Sequence, residues 1–461
     1  MFKSKSIKIT EGSILKSMIR YTIPIIFGSL IQTAFHSADL MVVGNMGNSA
    51  DTAAVGAIGP IVTLFVTSSV GLSLGSKILL ARSLGSQNPE KTKDIINTSL
   101  ISSLAIGILV MLITMIFSKP LLIATDCPES CFDKALLYLR VYSLGIPCTL
   151  IYNYAAALIR ASGNSSSPFK YLVIAGVLNV ALNVILCLML DNKAVAVAAA
   201  TVASNTLGMI LSIMHLIRAD GIVRFTFKEL SFSFSELLSI IKIGLPSAFS
   251  SSLYSISNLQ MITEINSYGD LATSGNAAAA SLEGFVSAFY GGLMASVTIF
   301  VGQNIGAGKK ERVKKSILTA QIMGFILTSI LSIVFYIIGE FWLGLYLPDN
   351  PKAITFGMAR MKYLMIPQFV SSVFGIFVNS MQAFGFSFIP MINSIITVLG
   401  FRVVWLEWIY PVLTNNYGRN IEFLYLCYTV SWILSLIVHS ITFAIIYTKY
   451  KKDKLKKHNT S

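Results

Sequence analysis

The feature that most constrains this chain is an internal repeat. Two halves of the sequence carry the same spacing of proline and glycine: Pro24, Gly71, Gly85, Pro147, Gly163 and Pro168 return as Pro246, Gly292, Gly306, Pro367, Gly385 and Pro390. The offset between the two sets is about 220 residues throughout, and self-similarity at a fixed period indicates two copies of one structural unit. The glycines and prolines at matched places, notably the pairs Pro24/Pro246 and Pro147/Pro367, predict kinks that let each lobe bend.

Composition identifies the solvent of these units as lipid. Hydrophobic residues make up 54% of the 461 residues and charged residues only 12%, with a mean hydropathy of +0.72. A soluble domain carries about 25% charged residues. Apolar runs long enough to cross about 30 Å of hydrocarbon lie at 14–43, 52–81, 93–117, 133–159, 168–190 and 195–217, and again at 236–266, 275–303, 311–339, 355–381, 388–411 and 421–449.

Six runs in each half predict an all-α membrane protein with twelve transmembrane helices in two six-helix lobes. Because six is even, both lobes cross the membrane in the same direction, so the repeat is parallel and its pseudo-twofold axis lies along the bilayer normal. Paired bundles of this kind are the layout of an alternating-access carrier. The predicted segments are an N-terminal tail at 1–13, an N-lobe at 14–217, a linker at 218–235, a C-lobe at 236–448 and a basic tail at 449–461.

The distribution of basic residues predicts the orientation. Of the 35 Lys and Arg residues, 25 fall in the segments on the side of the N-terminus and 8 on the opposite side, among them Arg360. By the positive-inside rule both termini are cytoplasmic, in a multi-pass protein of the plasma membrane. The net charge of +14 is thereby explained by topology, so we expect no nucleic-acid partner. We expect a monomer whose basic tail attracts anionic lipid.

One buried acid is the leading functional candidate, because a charge inside the bilayer is costly and functional by default. Asp39 lies toward the outer end of the first run, and Gln32, His36 and Asp39 fall on one face of that helix. Asn179 and Asn183 are one turn apart in the fifth run, and Thr201 is at the same depth in the sixth. Such a group can hold a proton or a small cation. The amides and the threonine could instead only join helices by hydrogen bonds.

Further candidates would contact a substrate. Met261 and the aromatic residues Tyr152 and Tyr254 could line an adaptable cavity, although most such residues face lipid or core. The predicted substrate-binding residues are Gln32, Tyr152, Asn153, Glu283, Tyr254 and Met261. Arg402 and Glu407, in the eleventh run, could neutralise each other loosely, although a separation of five residues is a poor helical spacing for a pair.

Other classes of protein lack their motifs here. The sequence contains no Walker A loop, nucleophile elbow, HExxH motif or dinucleotide-binding turn. A membrane enzyme or a receptor-like binding protein remains the alternative from another class, but an enzyme needs paired catalytic groups at one depth. We therefore predict a protein that is not an enzyme and needs no cofactor. Cys127 and Cys131, in an outer loop, could form a disulfide, but with Pro128 between them two free thiols are expected.

Three stretches resemble the multidrug and toxic compound extrusion (MATE) transporters. They are Ser37-Ala38-Asp39-Leu40-Met41-Val42-Val43-Gly44, Leu158-Ile159-Arg160-Ala161-Ser162-Gly163 with Pro168, and Val301-Gly302-Gln303-Asn304-Ile305-Gly306-Ala307-Gly308. The resemblance covers nearly the whole chain. It implies export of organic cations and other amphipaths, driven by inward flow of protons or sodium ions.

The resemblance also implies a cation-coupling site. Related MATE proteins build one from an acid in helix 1, an Asn and a second acid in helix 5 and a Thr in helix 6, and Asp39, Asn179 and Thr201 match those positions. The second acid is Asn183 here. With one carboxylate, proton coupling through Asp39 is the leading hypothesis, and sodium at Asp39, Asn179 and Thr201 is the alternative. His36 could tune the acid, or could be a neutral histidine bonded between helices. A lipid-linked saccharide flippase of the same superfamily is the second alternative, although its cationic cavity does not match the neutral or acidic candidates.

Overall fold

The computed structural model describes residues 6–125, 127–348 and 350–458, without the side chains of residue 36 and residues 453–458. All regular secondary structure in these ranges is helical. The α-helices are α1 (Ile14–Met46), α2 (Ser49–Gly85), α3 (Pro89–Ile116), α4 (Ser118–Ala124), α5 (Phe132–Leu144), α6 (Ile146–Ala161), α7 (Ser166–Met189), α8 (Lys193–Ile217), α9 (Phe234–Asn266), α10 (Asp270–Gly306), α11 (Lys310–Ile337), α12 (Gly339–Tyr346), α13 (Pro351–Arg360), α14 (Gln368–Ala383), α15 (Phe388–Ser394), α16 (Phe401–Val404), α17 (Tyr410–Tyr417) and α18 (Glu422–His458).

These helices form the twelve spans that the sequence predicts. Eleven helices in the described ranges are long and apolar enough to cross a membrane, and one bent pair, Glu129–Leu144 with Ile146–Ala161, supplies the twelfth. The tenth span, Pro351–Ala383, contains a π-helical segment at Met361–Met365. The eleventh, Phe388–Tyr417, contains two, at Ile395–Gly400 and Trp405–Ile409.

The sequence explains where several spans begin and where one bends. Ser13, Asn48, Asn88 and Asn192 each precede a helix, and each side chain accepts a hydrogen bond from the backbone N–H three residues later. These caps satisfy amide groups that the first helical turn leaves without a partner. The 46° bend of the fourth span falls at Gly145, with Pro147 in the first turn of α6. Because proline cannot continue the hydrogen-bond pattern of a preceding helix, the predicted bend at Pro147 is confirmed.

The chain divides into two compact units. The first unit comprises residues 1–248 with 302–309, and the second comprises residues 249–301 with 310–461. The core of the first unit contains Val43, Ile58, Leu139 and Val197. That of the second contains Ile265, Phe374, Tyr425 and Trp432. Large apolar side chains are also exposed, among them Ile116, Leu188, Ile337 and Trp408. In a bilayer such side chains face lipid tails.

Two of the stretches that carry the family resemblance meet inside the first unit. Gln303 donates a hydrogen bond from Nε2 to the carbonyl of Ala161 at 2.7 Å. Beside it the last turns of α2 and α10 are in backbone contact. A Cβ at Gly306 would lie 2.0 Å from the carbonyl oxygen of Arg82, and a Cβ at Gly85 would lie 2.0 Å from that of Gln303. Both positions therefore require glycine, since a side chain would need the helices to separate.

The linker between the repeats is bound to α3. Asn97 donates from Nδ2 to the carbonyl of Glu229 at 2.9 Å, and the Ser231 hydroxyl donates to Asp94 at 2.7 Å. The backbone N–H of Ser233 donates to Thr98 at 3.1 Å. Lys93 forms an ion pair with Glu229 at 2.7 Å, and that exposed pair lowers the pKa of Glu229 through the hydrogen bond from the ammonium group. The linker thus packs as part of the first unit.

Candidate functional site

Three helices of the first unit bring the predicted polar residues together. α7 packs against α1 and α8, and α7 carries both asparagines. Asn183 donates from Nδ2 to Oδ1 of Asp39 at 2.5 Å and to Oδ1 of Asn179 at 3.4 Å. Asn179 in turn donates from Nδ2 to the hydroxyl of Thr201 at 3.4 Å. A continuous chain of side chains therefore links α1, α7 and α8; we call Asp39, Asn179, Asn183 and Thr201 the polar chain.

Burial differs along the polar chain. Asn183 is fully buried and Asn179 is 6% exposed, whereas Asp39 and Thr201 are partly exposed. The Thr201 hydroxyl donates to the carbonyl of Val197 at 2.9 Å, so it accepts from Asn179 with a lone pair. Oδ1 of Asn183 is buried and has no hydrogen-bond partner among the groups that the structure describes, which do not include the side chain of His36. A buried acceptor of that kind is costly unless it receives a proton donor or a cation.

The remaining first-unit candidates lie outside the polar chain. The side chain of His36 lies outside the described part of the structure, so its proposed effect on Asp39 stays a prediction. Gln32 is exposed on α1. Tyr152 and Asn153 lie on α6, partly buried, and the Tyr152 ring packs against α8, where a Cβ at Gly208 would lie 3.2 Å from the ring. No hydrogen bond joins these three residues to the polar chain within the described residues.

Glu283, a candidate for cation recognition, is already paired in the second unit. Its carboxylate accepts a hydrogen bond from Nη2 of Arg360 at 2.7 Å. Arg360 also donates from Nη1 to Asn276 at 2.7 Å. Gln368 donates to the Glu283 carbonyl at 3.3 Å and to Ser287 at 2.8 Å. The count of basic residues places Arg360 in an outer segment. In the structure it is instead a buried residue, only 8% exposed.

The other second-unit candidates are placed as follows. Met261 is fully buried in the hydrophobic core, next to neighbours such as Ile265. Tyr254 is partly buried on α9. Arg402 does not pair with Glu407, which is exposed; Arg402 turns instead to Ser257 and Asn258, to which its Nη1 donates at 3.3 and 2.8 Å. The expected neutralisation within the eleventh span is wrong, because side chains five residues apart do not face each other on a helix.

Sequence reasoning missed the buried arginines as a group. Arg360 and Arg402 were visible as charges in or beside apolar runs, but nothing in the sequence showed that both approach the ring of Tyr428. The centre of that ring lies 5.8 Å from the guanidinium carbon of Arg360 and 4.2 Å from that of Arg402. The signal that could have found them is the cost of burying a guanidinium group in the bilayer, which is the argument that singled out Asp39.

Comparison with known proteins decides the family. A sequence model of the MatE family matches residues 24–185 and 246–406, once in each half of the chain. The chain belongs to the MatE family. These are the MATE transporters, and the two matches are the two copies of the internal repeat. The family consists of multi-pass multidrug efflux transporters that take small-molecule substrates and need no cofactor; its members are not enzymes.

Individual relatives agree with this assignment. The chain is 26% identical over 409 residues to the probable multidrug resistance protein YoeA of Bacillus subtilis, covering 86% of this chain and 87% of that protein. It is 23% identical over 377 residues to the multidrug export protein MepA of Staphylococcus aureus, covering 81% and 83%. A crystal structure of MATE in complex with MaL6 superposes with a TM-score of 0.89 at 20% identity, covering 98% of this chain and all of that one. That likeness shows the MATE fold.

The donors at the polar chain do not form a typical metal centre. Among the described residues no group of three or more His, Cys, Asp and Glu side chains is placed to hold a metal ion. The polar chain offers one carboxylate, two amides and one hydroxyl, which are oxygen donors of a kind that hard cations accept.

Proposed function

We propose that this chain is a secondary active antiporter that exports cationic and amphipathic compounds across the plasma membrane in exchange for protons. The observation that carries the proposal is the polar chain, in which one carboxylate is hydrogen-bonded to a fully buried amide. The names of the relatives, a multidrug resistance protein and a multidrug export protein, support the class of substrate.

The Asn183 amide can form a hydrogen bond with Asp39 in both protonation states of the acid. Its NH₂ group donates a hydrogen bond to the Asp39 carboxylate, while its oxygen has no partner within the described part of the chain. An amide carries both a donor and an acceptor, so rotation of the amide would let Oδ1 accept the O–H of a protonated Asp39. Both protonation states of the acid then keep a hydrogen bond, while the rotated amide gives up its bond of 3.4 Å to Oδ1 of Asn179. A second carboxylate at this position could not donate to an ionised Asp39.

The single carboxylate also favours protons over sodium. A carboxylate in a low dielectric is destabilised in its charged form, and a proton removes that cost completely. A sodium ion would have to be held by one charge and three neutral oxygens. We keep sodium at Asp39, Asn179 and Thr201 as the alternative coupling ion.

The mechanism that we propose is alternating access of the rocker-switch type, with both termini in the cytoplasm. In the outward-facing state Asp39 takes up a proton, and protonation displaces a bound cationic substrate. In the inward-facing state Asp39 releases the proton and the cation binds again. The exchange conserves charge at the acid, because a proton and an organic cation alternate on the same carboxylate.

Transport in proteoliposomes tests the coupling ion. Wild-type protein should accumulate a cationic substrate against its gradient when a proton gradient is imposed, and much less with a sodium gradient alone. Asp39→Asn keeps the shape of the side chain and removes its titration, so it should abolish gradient-driven accumulation. Asp133→Asn, which changes an exposed acid in the first turn of α5, is the matched control and should transport normally.

Proton release gives a second readout that does not need transport. Adding substrate to purified protein in weakly buffered detergent should release protons from the wild type and none from Asp39→Asn. Asn183→Asp supplies a second carboxylate and should raise stimulation by sodium. The proposal fails if Asp39→Asn still accumulates substrate against a gradient, and the proton assignment fails if the wild type runs equally well on sodium alone.

A further inference from the structure

The linker between the repeats carries a row of exposed apolar side chains. Leu230, Phe232 and Phe234 are 52%, 51% and 65% exposed, and Phe227 is 64% exposed. Side chains of this size are usually buried, and a patch of them on a surface marks a site of interaction with a protein or a membrane. We call Leu230, Phe232 and Phe234 the apolar ridge.

The residues of the apolar ridge alternate with residues that bind α3. The Ser231 hydroxyl donates to Asp94 at 2.7 Å, and the backbone N–H of Ser233 donates to Thr98 at 3.1 Å. The backbone is not helical at these two serines and is extended at Leu230. Because successive side chains of an extended chain point to opposite sides, the contacts of Ser231 and Ser233 with α3 turn the apolar ridge away from the protein.

The contacts with α3 set the depth of the linker in the membrane. α3 has 28 residues, so it is about 42 Å long and, when centred, extends about 6 Å beyond each side of the hydrocarbon core. Asp94 and Thr98 lie about 8 and about 14 Å along the helix from Pro89, which is just inside the hydrocarbon boundary. At that depth backbone polar groups need partners within the protein, and Asn97 supplies one by donating to the carbonyl of Glu229 at 2.9 Å.

The surface on either side of the apolar ridge is one that faces lipid. On α9, Leu238 and Leu245 follow Phe234 by four and eleven residues, which places all three on one face of the helix, and both leucines are more than half exposed. On α3, Leu104 and Ile108 are exposed as well. In a membrane protein such surfaces contact acyl chains, so the apolar ridge extends the lipid-facing surface of the first unit toward the headgroups.

The charges beside the apolar ridge favour an anionic lipid. The acids that flank it, Glu229 and Glu236, are each paired with a lysine of α3. Arg224 and Lys228 are exposed and form no ion pair with an acid in the part of the chain that the structure describes. Exposed apolar side chains next to such cations are the composition of an interfacial membrane anchor, and basic side chains at the membrane surface attract anionic phospholipids.

We propose that the linker inserts the apolar ridge into the cytoplasmic leaflet, where Arg224 and Lys228 bind the headgroup of an anionic phospholipid. This leaflet is the one on the side of the chain termini in the proposed orientation. The bound lipid lies at the edge of the first unit and is not a transported compound, so the inference goes beyond the efflux function. The linker then holds the first unit to the cytoplasmic leaflet and is not a free tether between the repeats.

Photolabelling of the wild-type protein in lipid nanodiscs tests the position of the linker. The probe is phosphatidylcholine or phosphatidylglycerol with a diazirine on its acyl chain, and the carbene formed on illumination inserts into side chains within the hydrocarbon. Mass spectrometry should find the label on the apolar ridge and on Phe227. Lys8 and Glu11, an exposed ion pair on the same side of the membrane in the proposed orientation, are the control and should carry none.

The choice of headgroup tests the part played by the two cations. The label on the apolar ridge is divided by the label on Ile322, an exposed apolar residue of α11. This ratio should be higher with the phosphatidylglycerol probe than with the phosphatidylcholine probe, by roughly fivefold for each cation. The double variant Arg224→Gln with Lys228→Gln should lose the preference and keep the label from phosphatidylcholine. Lys8→Gln, which removes an exposed cation outside the linker, should keep the preference.

Three results would overturn the proposal. If the apolar ridge carries no more label than Lys8 and Glu11, the linker does not enter the leaflet; with two chains in each nanodisc, that result would assign the apolar ridge to contact between copies. If both probes label the apolar ridge equally in the wild type, no anionic headgroup binds there. If excess inorganic phosphate abolishes the preference, the cations bind a soluble anion. Each of these comparisons uses the wild type, so they decide even if the double variant does not fold.

Discussion

Removing either partner of the ion pair between Arg360 and Glu283 should destabilise the protein. The costs of the two single variants should add up to more than the cost of the double variant. The two side chains are only 10% and 17% exposed and meet at 2.7 Å. Removing one partner of a buried pair leaves an uncompensated charge and costs about 3–5 kcal/mol. We therefore expect Arg360→Met and Glu283→Gln each to fall near that range, with Glu283→Gln the milder change because Gln still accepts a hydrogen bond from Arg360.

The double variant decides the reasoning. It removes both charges together, so it should be no less stable than the worse single variant. The coupling energy is then at least the cost of the milder single variant, about 3 kcal/mol. Reversible unfolding by SDS in mixed micelles gives the free energy of unfolding of the wild type, of each single variant and of the double variant. The exposed pair Lys362 and Glu422, at 3.8 Å, is the matched control, and its coupling should be below about 0.5 kcal/mol because water screens it. Additive costs at Arg360 and Glu283 would refute the pairing as a source of stability.

Two further predictions concern other parts of the chain. Gly306→Val should cost about 1–3 kcal/mol or more in the same unfolding assay, because a Cβ would lie 2.0 Å from the Arg82 carbonyl oxygen; Gly59→Ala, where no atom lies within 4 Å, should be nearly neutral, and equal costs would contradict the packing argument. Burial, with a contribution from Cys131, raises the pKa of the Cys127 thiol to about 11. Because only the thiolate reacts, maleimide labelling of Cys127 should be slow at neutral pH and should accelerate up to about pH 11. Cys131→Ser should move that midpoint down; a wild-type midpoint near 8.5, the value of a free cysteine, would be inconsistent with this environment.

The sequence predicts most of the fold because its strongest signals are local or periodic. Apolar runs of membrane length and the repeat of proline and glycine predict twelve spans, and the structure contains them. The bend at Pro147 is a backbone effect that one residue determines. The π-helical segments around Arg402 could not be foreseen, because their extra residue per turn follows from tertiary packing and has no sequence pattern of its own.

The sequence also predicts one part of the candidate site and not another. The sequence predicts that the residues of the polar chain lie close together, because each is at a similar depth in its span. These residues are Asp39, Asn179, Asn183 and Thr201. The position of Arg402 beside Tyr428 depends instead on the relative rotation of the eleventh and twelfth spans, which hydropathy does not report. The loose neutralisation of Arg402 by Glu407 is wrong because five residues is a poor helical spacing, and the sequence does not show that Ser257 and Asn258 lie beside Arg402.

The binding of the linker to α3 determines where this chain tolerates a foreign sequence. A polar loop in mid-chain is the usual place for an epitope tag or a protease site, but the polar groups of Glu229, Ser231 and Ser233 are hydrogen-bonded to α3. An insertion there would remove those bonds. Gly221–Val223 contains no buried residue. A tag or a cleavage site in that turn would leave the segment that binds α3 intact, so the two halves of the cut chain should remain associated through non-covalent contacts alone.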